Sequence, residues 1–194
     1  MSSGCQIKEQ NELHYLTFQV VEWVDIFTRQ IYRDIVMSSL RYCQKNKGLE
    51  VYAFVVMSNH IHLLARSETR DLSDIVREFK SFTANEILKA IKDEPESRRD
   101  WMLNIFEFAA KRHKRCEKYQ FWTHENHPEI IYSNQFIDQK INYIHENPVR
   151  AGIVEYAEDY LYSSARAYAG KECLLEIIPV LRSVEKIGLM RTIR

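Results

Sequence analysis

The sequence is poor in glycine and proline and has no long apolar run. Five glycines and four prolines among 194 residues leave little room for flexible linkers, so helices and strands should dominate. No stretch approaches the roughly 18 consecutive apolar residues that a membrane-spanning helix needs. The first residues, MSSGCQIKEQNE, lack the apolar core of a signal peptide. We therefore expect a cytoplasmic protein with no membrane partner.

The cysteines are too scattered to form a recognisable framework. No C-x-x-C pair occurs, and the spacing is unlike that of secreted disulfide scaffolds. The pattern predicts free thiols at all four positions, Cys5, Cys43, Cys116 and Cys173.

Charge of neither sign is in excess. The 27 lysines and arginines balance 27 aspartates and glutamates, whereas nucleic-acid-binding proteins usually carry a basic excess. Residues 111–118 (KRHKRCEK) are nevertheless strongly basic, with five lysines or arginines and one histidine against one glutamate. Such a run is either a solvated surface or a contact for a nucleic-acid backbone, and both interpretations stay open.

Three segments have the composition of strands. Residues 14–21 (HYLTFQVV) are rich in β-branched and aromatic side chains and predict a first strand. Residues 50–57 and 59–66 predict two further strands, joined by a tight turn at Ser58 and Asn59. The residues between 121 and 132 predict a short strand or an extended loop.

Three segments have the apolar spacing of helices. Thr28 is a candidate N-cap for a helix that should end near Gly48. A second helix should begin at Asp71. A third is predicted for residues 135–146, with Pro148 ending it. Together with the strands, this order predicts an α+β fold of ferredoxin-like or RNA-recognition-like type, with an antiparallel sheet, helices packed on one face and a C-terminal helical tail.

A histidine pair lies in the third predicted strand. Side chains alternate across a strand, so His60 and His62 should point to one face and Ile61 and Leu63 to the other. Two imidazoles on one face form half of a metal site. An isolated H-x-H pattern is more often a pair of surface or hydrogen-bonded histidines, and the pattern alone does not decide.

A tyrosine and an asparagine lie four residues apart in the third predicted helix. Tyr143 and Asn147 should therefore share a helix face, with Lys140 and Phe136 on the same side. This arrangement suits a nucleophile flanked by a metal ligand and a cation. It is equally typical of an amphipathic helix that ends at a proline.

The two motifs together resemble a known family. The hairpin VYAFVVMSNHIHLLAR is similar to the histidine–hydrophobic–histidine strand of the HUH single-tyrosine transposases. The segments INYIHENPVRAGIV and EDYLYSSARAYAG resemble the tyrosine helix and tail of the branch associated with repeated extragenic palindromes. The resemblance covers residues 14–170, and Ser58 stands where many relatives have proline.

The resemblance implies a reaction and a site. His60, His62 and Asn147 would bind a divalent metal, Mg²⁺ or Mn²⁺, and Tyr143 would be the nucleophile. The chain would be a single-stranded DNA endonuclease and strand transferase that cleaves beside a DNA hairpin through a 5′-phosphotyrosine intermediate. Residues 1–170 would form the catalytic domain and residues 171–194 an extension packed on it. Whether it acts as a monomer or a homodimer stays open.

Several basic residues could contact DNA. Lys140 is also a candidate for favouring the tyrosine phenolate. Tyr119, Phe121 and Trp122 could stack on bases, although ordinary core packing accounts for them as well. A non-catalytic single-stranded nucleic-acid-binding module and a plain interaction protein are the alternative functions. The candidate DNA contacts are Lys140, Arg66, Arg77, Lys80, Lys111, Arg112, Lys114 and Arg115.

Overall fold

The computed structural model describes residues 7–112 and 118–180, and an antiparallel sheet lies at the centre of this part. The strand order is β2-β3-β1-β4, and β2 and β3 form the hairpin that the sequence predicted. The strands are β1 (His14–Gln19), β2 (Leu49–Val56), β3 (His60–Ser67) and β4 (Glu129–Ile130).

Five α-helices complete the described fold, and the predicted α+β class is confirmed. They are α1 (Gln30–Lys47), α2 (Leu72–Asp93), α3 (Arg99–Lys111), α4 (Asn134–Arg150) and the short α5 (Ala165–Tyr168). Within the described residues, no helix is long and apolar enough to cross a membrane.

The two faces of the sheet carry different side chains. Leu16, Phe18, Ile61 and Leu63 alternate onto the face covered by α1 and α2, as Phe18 shows by its ring contact with Phe79 of α2 at 5.5 Å. Helix α4 lies over the opposite face, where it contacts β2 and β3. The sequence predicted helices on one face, and α4 adds a cover over the second.

Two helix boundaries differ from the prediction. Thr28 is not the N-cap of α1, because its hydroxyl donates to the Asp25 carbonyl and Arg29 occupies the cap position. Pro148 does not end α4, which continues to Arg150. Proline removes only one N–H from this last turn, and its ring is buried.

The segment after α4 follows the outer edge of β2. The Tyr162 carbonyl accepts from the Val56 amide, and the Ser164 amide donates to the Phe54 carbonyl, both at 2.9 Å. Further along, the Ile178 amide donates to the Val51 carbonyl. The described part of the tail is therefore mostly turns and irregular chain, with a 3-10 turn at Ala157–Asp159 and α5 as its helical parts, rather than the predicted helical tail. Residues 181–194 lie outside the described range, so the division at residue 170 stays a prediction.

Gly48 provides a test of the α1–β2 connection. It ends α1 with φ +70°, and a Cβ there would collide with the Thr69 hydroxyl. Gly152 has nearly the same φ, +67°, but a Cβ would meet no described atom within 4 Å. We expect Gly152→Ala to lose about 1 kcal/mol of unfolding free energy from backbone strain. Gly48→Ala should lose more than that, because the Thr69 side chain must also shift to admit the new Cβ. Equal losses in urea denaturation would contradict this difference between the two glycines.

Candidate catalytic site

The histidine pair points to the α4 face of the sheet, as strand alternation predicts. The rings of His60 and His62 are 4.7 Å apart. The pairing of β3 with β1 sets their surroundings, because His62 lies opposite Thr17 and His60 opposite Gln19. Both imidazoles therefore lie on one face of the sheet, near the beginning of β3.

His62 is buried and is held by two hydroxyl groups. The Tyr15 hydroxyl lies 2.7 Å from Nδ1 and the Thr17 hydroxyl 3.0 Å from it. Burial, together with the charges of His60, Lys140 and Arg150, lowers the pKa of His62 to about 3. The imidazole is thus neutral at physiological pH. Its Nε2 atom is buried and has no hydrogen-bond partner among the described residues.

His60 is held in a similar way by its neighbour in sequence. Its Nδ1 lies 2.7 Å from Oδ1 of Asn59, and burial lowers its pKa. The indole of Trp23 stands edge-on to its ring at 6.2 Å. Since Nδ1 is engaged in both histidines, Nε2 is the atom that each could offer to a metal, the usual arrangement for imidazole ligands.

Tyr143 of α4 faces the histidines across the site. Its ring is 5.3 Å from that of His62, and its side chain is 41% exposed, so a large substrate can reach it. The Arg150 guanidinium lies 4.8 Å from the Tyr143 ring, and its Nη2 donates to the Tyr143 carbonyl at 3.1 Å. A candidate nucleophile and a cation therefore lie together beside the imidazoles.

Lys140 and Asn147 flank Tyr143 on the same helix. The Lys140 ammonium lies 4.0 Å from the Tyr15 ring centre and forms an ion pair with Glu129 at 2.8 Å. The Asn147 side chain turns back along the helix, and its Nδ2 donates to the Tyr143 carbonyl at 2.7 Å. Amide side chains bind metals through oxygen. Because only Nδ2 takes part in this hydrogen bond, the Oδ1 atom of Asn147 is not used by it.

The predicted DNA-contacting residues are dispersed over the described surface. Arg66 pairs with Glu50 and Glu68, and Arg77 pairs with Asp74. Lys80 is half-buried and donates to the Thr123 carbonyl and to Asn126. Two more basic residues are also paired, Lys111 with Glu107 and Arg112 with Glu22, while Lys114 and Arg115 lie outside the described residues.

Most of the proposed stacking aromatics belong to the core. Phe121 is 2% exposed and Trp122 is 5% exposed, and the Trp122 indole donates to Thr83. Tyr15 and Thr17, which hold His62, were not predicted as site residues. Their alternation in β1 was visible in the sequence, but the β1–β3 register that brings them to His62 was not.

Comparison with known proteins decides the family. The family model described as "Transposase IS200 like" matches residues 12–147, which include both histidines, Tyr143 and Asn147. The chain belongs to the IS200-like transposases. Its function therefore lies in DNA transposition, and a transposase is a DNA-cleaving enzyme.

One solved structure supports the fold of this transposase, and a second shares sequence similarity alone. The structure of a REP-associated tyrosine transposase bound to a REP hairpin is 17% identical, with a TM-score of 0.57, covering 97% of this chain and 100% of that one. A putative transposase from Deinococcus radiodurans is 19% identical, with a TM-score of 0.39, covering 74% of this chain and 95% of that one. No curated protein matches the chain.

Lys80 makes the stability of this transposase depend on pH. Burial lowers the pKa of its ammonium to about 8 from an ordinary value of 10.5. Between these values the unfolded chain binds more protons than the folded one, so stability should rise with pH, by at most about 1.4 kcal/mol per unit. Lys80→Met should flatten this rise in urea denaturation at pH 8–10.5, and Lys89→Met, exposed on the same helix, should not. Parallel pH profiles for wild type and Lys80→Met would contradict the assignment.

Proposed function

We propose that the protein cleaves and rejoins single-stranded DNA beside a hairpin, with Tyr143 as the nucleophile. The observation that carries this proposal is the position of Tyr143, whose ring is 5.3 Å from His62 and whose side chain is open to solvent. A binding module would need neither an exposed tyrosine at this place nor a buried imidazole with an unpartnered nitrogen.

His60, His62 and Asn147 would hold a divalent cation, Mg²⁺ or Mn²⁺. The buried Nε2 of His62, which has no partner among the described residues, fits a ligand atom. Among the described residues, no group of three histidine, cysteine, aspartate or glutamate side chains is placed to hold a metal. Asn147 is proposed as the third ligand on the resemblance of the tyrosine helix to that of the family. When bound, the cation would stabilise negative charge on the non-bridging phosphate oxygens.

The chemistry at Tyr143 balances without an external energy source. Its Oη atom forms a bond to phosphorus as the bond from phosphorus to the 3′-oxygen breaks. The phenol loses its proton and the departing 3′-oxygen gains one, which leaves a 5′-phosphotyrosine and a free 3′-hydroxyl. Attack by a 3′-hydroxyl on the phosphotyrosine reverses these steps and joins DNA.

Two cations support this chemistry from α4. Arg150 lies against the Tyr143 ring, where it can contact both a phosphate and the developing phenolate charge. Lys140 lies one helical turn before Tyr143 and is mostly shielded from solvent, with 17% of its side chain exposed. Their charges raise the local preference for an anionic substrate.

The proposed partner is single-stranded DNA that folds into a hairpin. The relative of similar fold was solved with a REP hairpin, and the two chains align over nearly their full lengths. We infer that this chain also binds a hairpin, with the nucleophile beside its single-stranded flank.

Tyr143→Phe tests the nucleophile. With labelled hairpins from the flanking genomic sequence and Mn²⁺, wild type should form a covalent protein–DNA adduct on a denaturing gel. EDTA should abolish the adduct, and Tyr143→Phe should reduce it below detection because no oxygen remains to attack. Tyr156→Phe, altered at another exposed tyrosine, should behave as wild type. An adduct that persists in Tyr143→Phe would assign the nucleophile elsewhere, and hairpin binding without any adduct would favour a binding module.

Tyr15→Phe tests how the His62 ligand is held. Removing the hydroxyl beside Nδ1 should weaken Mn²⁺ binding by roughly 10-fold. This is the lower end of the roughly 10–100-fold range for losing a hydrogen-bond partner of a metal ligand, because the Thr17 hydroxyl still contacts Nδ1. Calorimetric titration of Mn²⁺ in the presence of hairpin DNA provides the measurement. Tyr156→Phe is again the matched control. An unchanged Kd would mean that His62 does not hold the metal through this arrangement.

A further inference from the structure

Helix α3 carries an aromatic stripe on its outer face. Its inner face is buried through Met102, Phe106, Ala109 and Ala110. The outer stripe, at helical spacings of three and four, holds two large aromatic side chains that remain about half exposed, Trp101 at 50% and Phe108 at 56%. The residues of this α3 stripe are Trp101, Asn104, Ile105, Phe108 and Arg112.

Two depressions extend from the α3 stripe toward the catalytic site. A depression of about 360 Å³ lies along it and includes Glu22. A second depression, of about 400 Å³, shares Glu22 and Arg112 and reaches Gln19. Gln19 is the residue paired with His60 across the sheet. The path therefore runs from the strand position next to His60 to the far end of α3.

Trp23 lies beside His60 and directly follows Glu22, which lines both depressions. It is 60% exposed, and its indole stands edge-on to His60 at 6.2 Å. The turn that carries it contacts α3, and the Glu22 carboxylate accepts from Arg112 at 2.8 Å. One exposed aromatic thus lies beside His60, and two more lie on the helix that its turn contacts.

The composition of this path fits single-stranded nucleic acid. Bases stack on aromatic rings without regard to sequence, and arginine adds a cation for the backbone. The Arg112 guanidinium lies 4.3 Å from the Phe108 ring. The stripe also ends where the basic sequence 111–118 begins. Two carboxylates, Glu22 and Glu125, line the path, and a phosphate would have to compete with Glu22 for Arg112.

We propose that the α3 stripe and Trp23 bind the single-stranded DNA that flanks the scissile phosphate. This proposal rests on the proposed function and adds the course of the strand. From residue 101 to residue 112 the helix advances about 16 Å, enough for a few stacked nucleotides. The strand leaves the histidine pair over Trp23 and continues along Phe108 and Trp101.

The test compares hairpins with and without a flank. Labelled hairpins from the genomic sequence are prepared without a flank, with six thymidines 5′, or with six thymidines 3′, and Kd is measured by fluorescence anisotropy in EDTA. Compared with wild type, the double variant Trp101→Ala/Phe108→Ala should bind at least roughly tenfold more weakly to one of the two flanked hairpins, whichever carries its flank on the side that reaches α3. Its Kd for the unflanked hairpin should match wild type. Thermal unfolding verifies that the exposed changes leave the fold intact.

A matched control lies on another surface. Tyr42 and Phe82 line a groove between α1 and α2 and are 58% and 56% exposed, so Tyr42→Ala/Phe82→Ala removes similar aromatic area. This variant should bind all three hairpins as wild type does. An equal loss for flanked and unflanked hairpins, or no loss with Trp101→Ala/Phe108→Ala, would overturn the proposal.

Two further readouts distinguish strand binding from self-association and from failure of the proposed catalysis. Sedimentation of wild type and variants shows whether the stripe joins two copies of the chain. A wild-type dimer that Trp101→Ala/Phe108→Ala dissociates, with Kd unchanged, would assign the stripe to self-association.

Adduct formation by wild type on the flanked hairpin, with Mn²⁺, checks the proposed function itself. An adduct together with an unaffected double variant would reject only the α3 path, whereas neither adduct nor binding would reject both.

Discussion

The pairing of β1 with β3 is the constraint on which the site depends. It sets Thr17 opposite His62 and brings the Tyr15 hydroxyl to the same imidazole. A slip of one residue would exchange the two faces of β3, because side chains alternate along a strand. The histidines would then enter the α1–α2 core, and Ile61 would lose its buried place. The apolar core therefore enforces the register that aims the imidazoles at Tyr143.

Burial and positive charge both lower the pKa of His62. Both keep His62 neutral, so it can donate an electron pair to a cation instead of holding a proton. Yet Lys140 and Arg150 also disfavour a bound cation, and the described residues place no cluster of three acidic, histidine or cysteine groups there. In the proposed metal site, the substrate phosphate would supply balancing negative charge, so metal and DNA would bind cooperatively.

Periodicity and alternation predicted much of this fold. The apolar spacing in α1 and α2 gave those helices, and the H-x-H alternation gave the shared face of His60 and His62. Alternation within one strand cannot give the register between two, so the roles of Tyr15 and Thr17 were invisible. Residue type likewise did not reveal that Lys80 would point inward, or that Trp122 would be buried while Trp101 stayed exposed. Tertiary packing decides these questions. It also decides that Pro148 lies within the last turn of α4.

The segment after α4 that lies along the outer edge of β2 limits how two molecules could associate. Its hydrogen bonds to Val51, Phe54 and Val56 occupy backbone groups that an outer strand would otherwise present to another chain. The opposite edge of the described sheet is β4, which is only two residues long. A continuous sheet shared between two copies would have to displace the tail or start from that short strand. Association through helices is the route that leaves this architecture undisturbed.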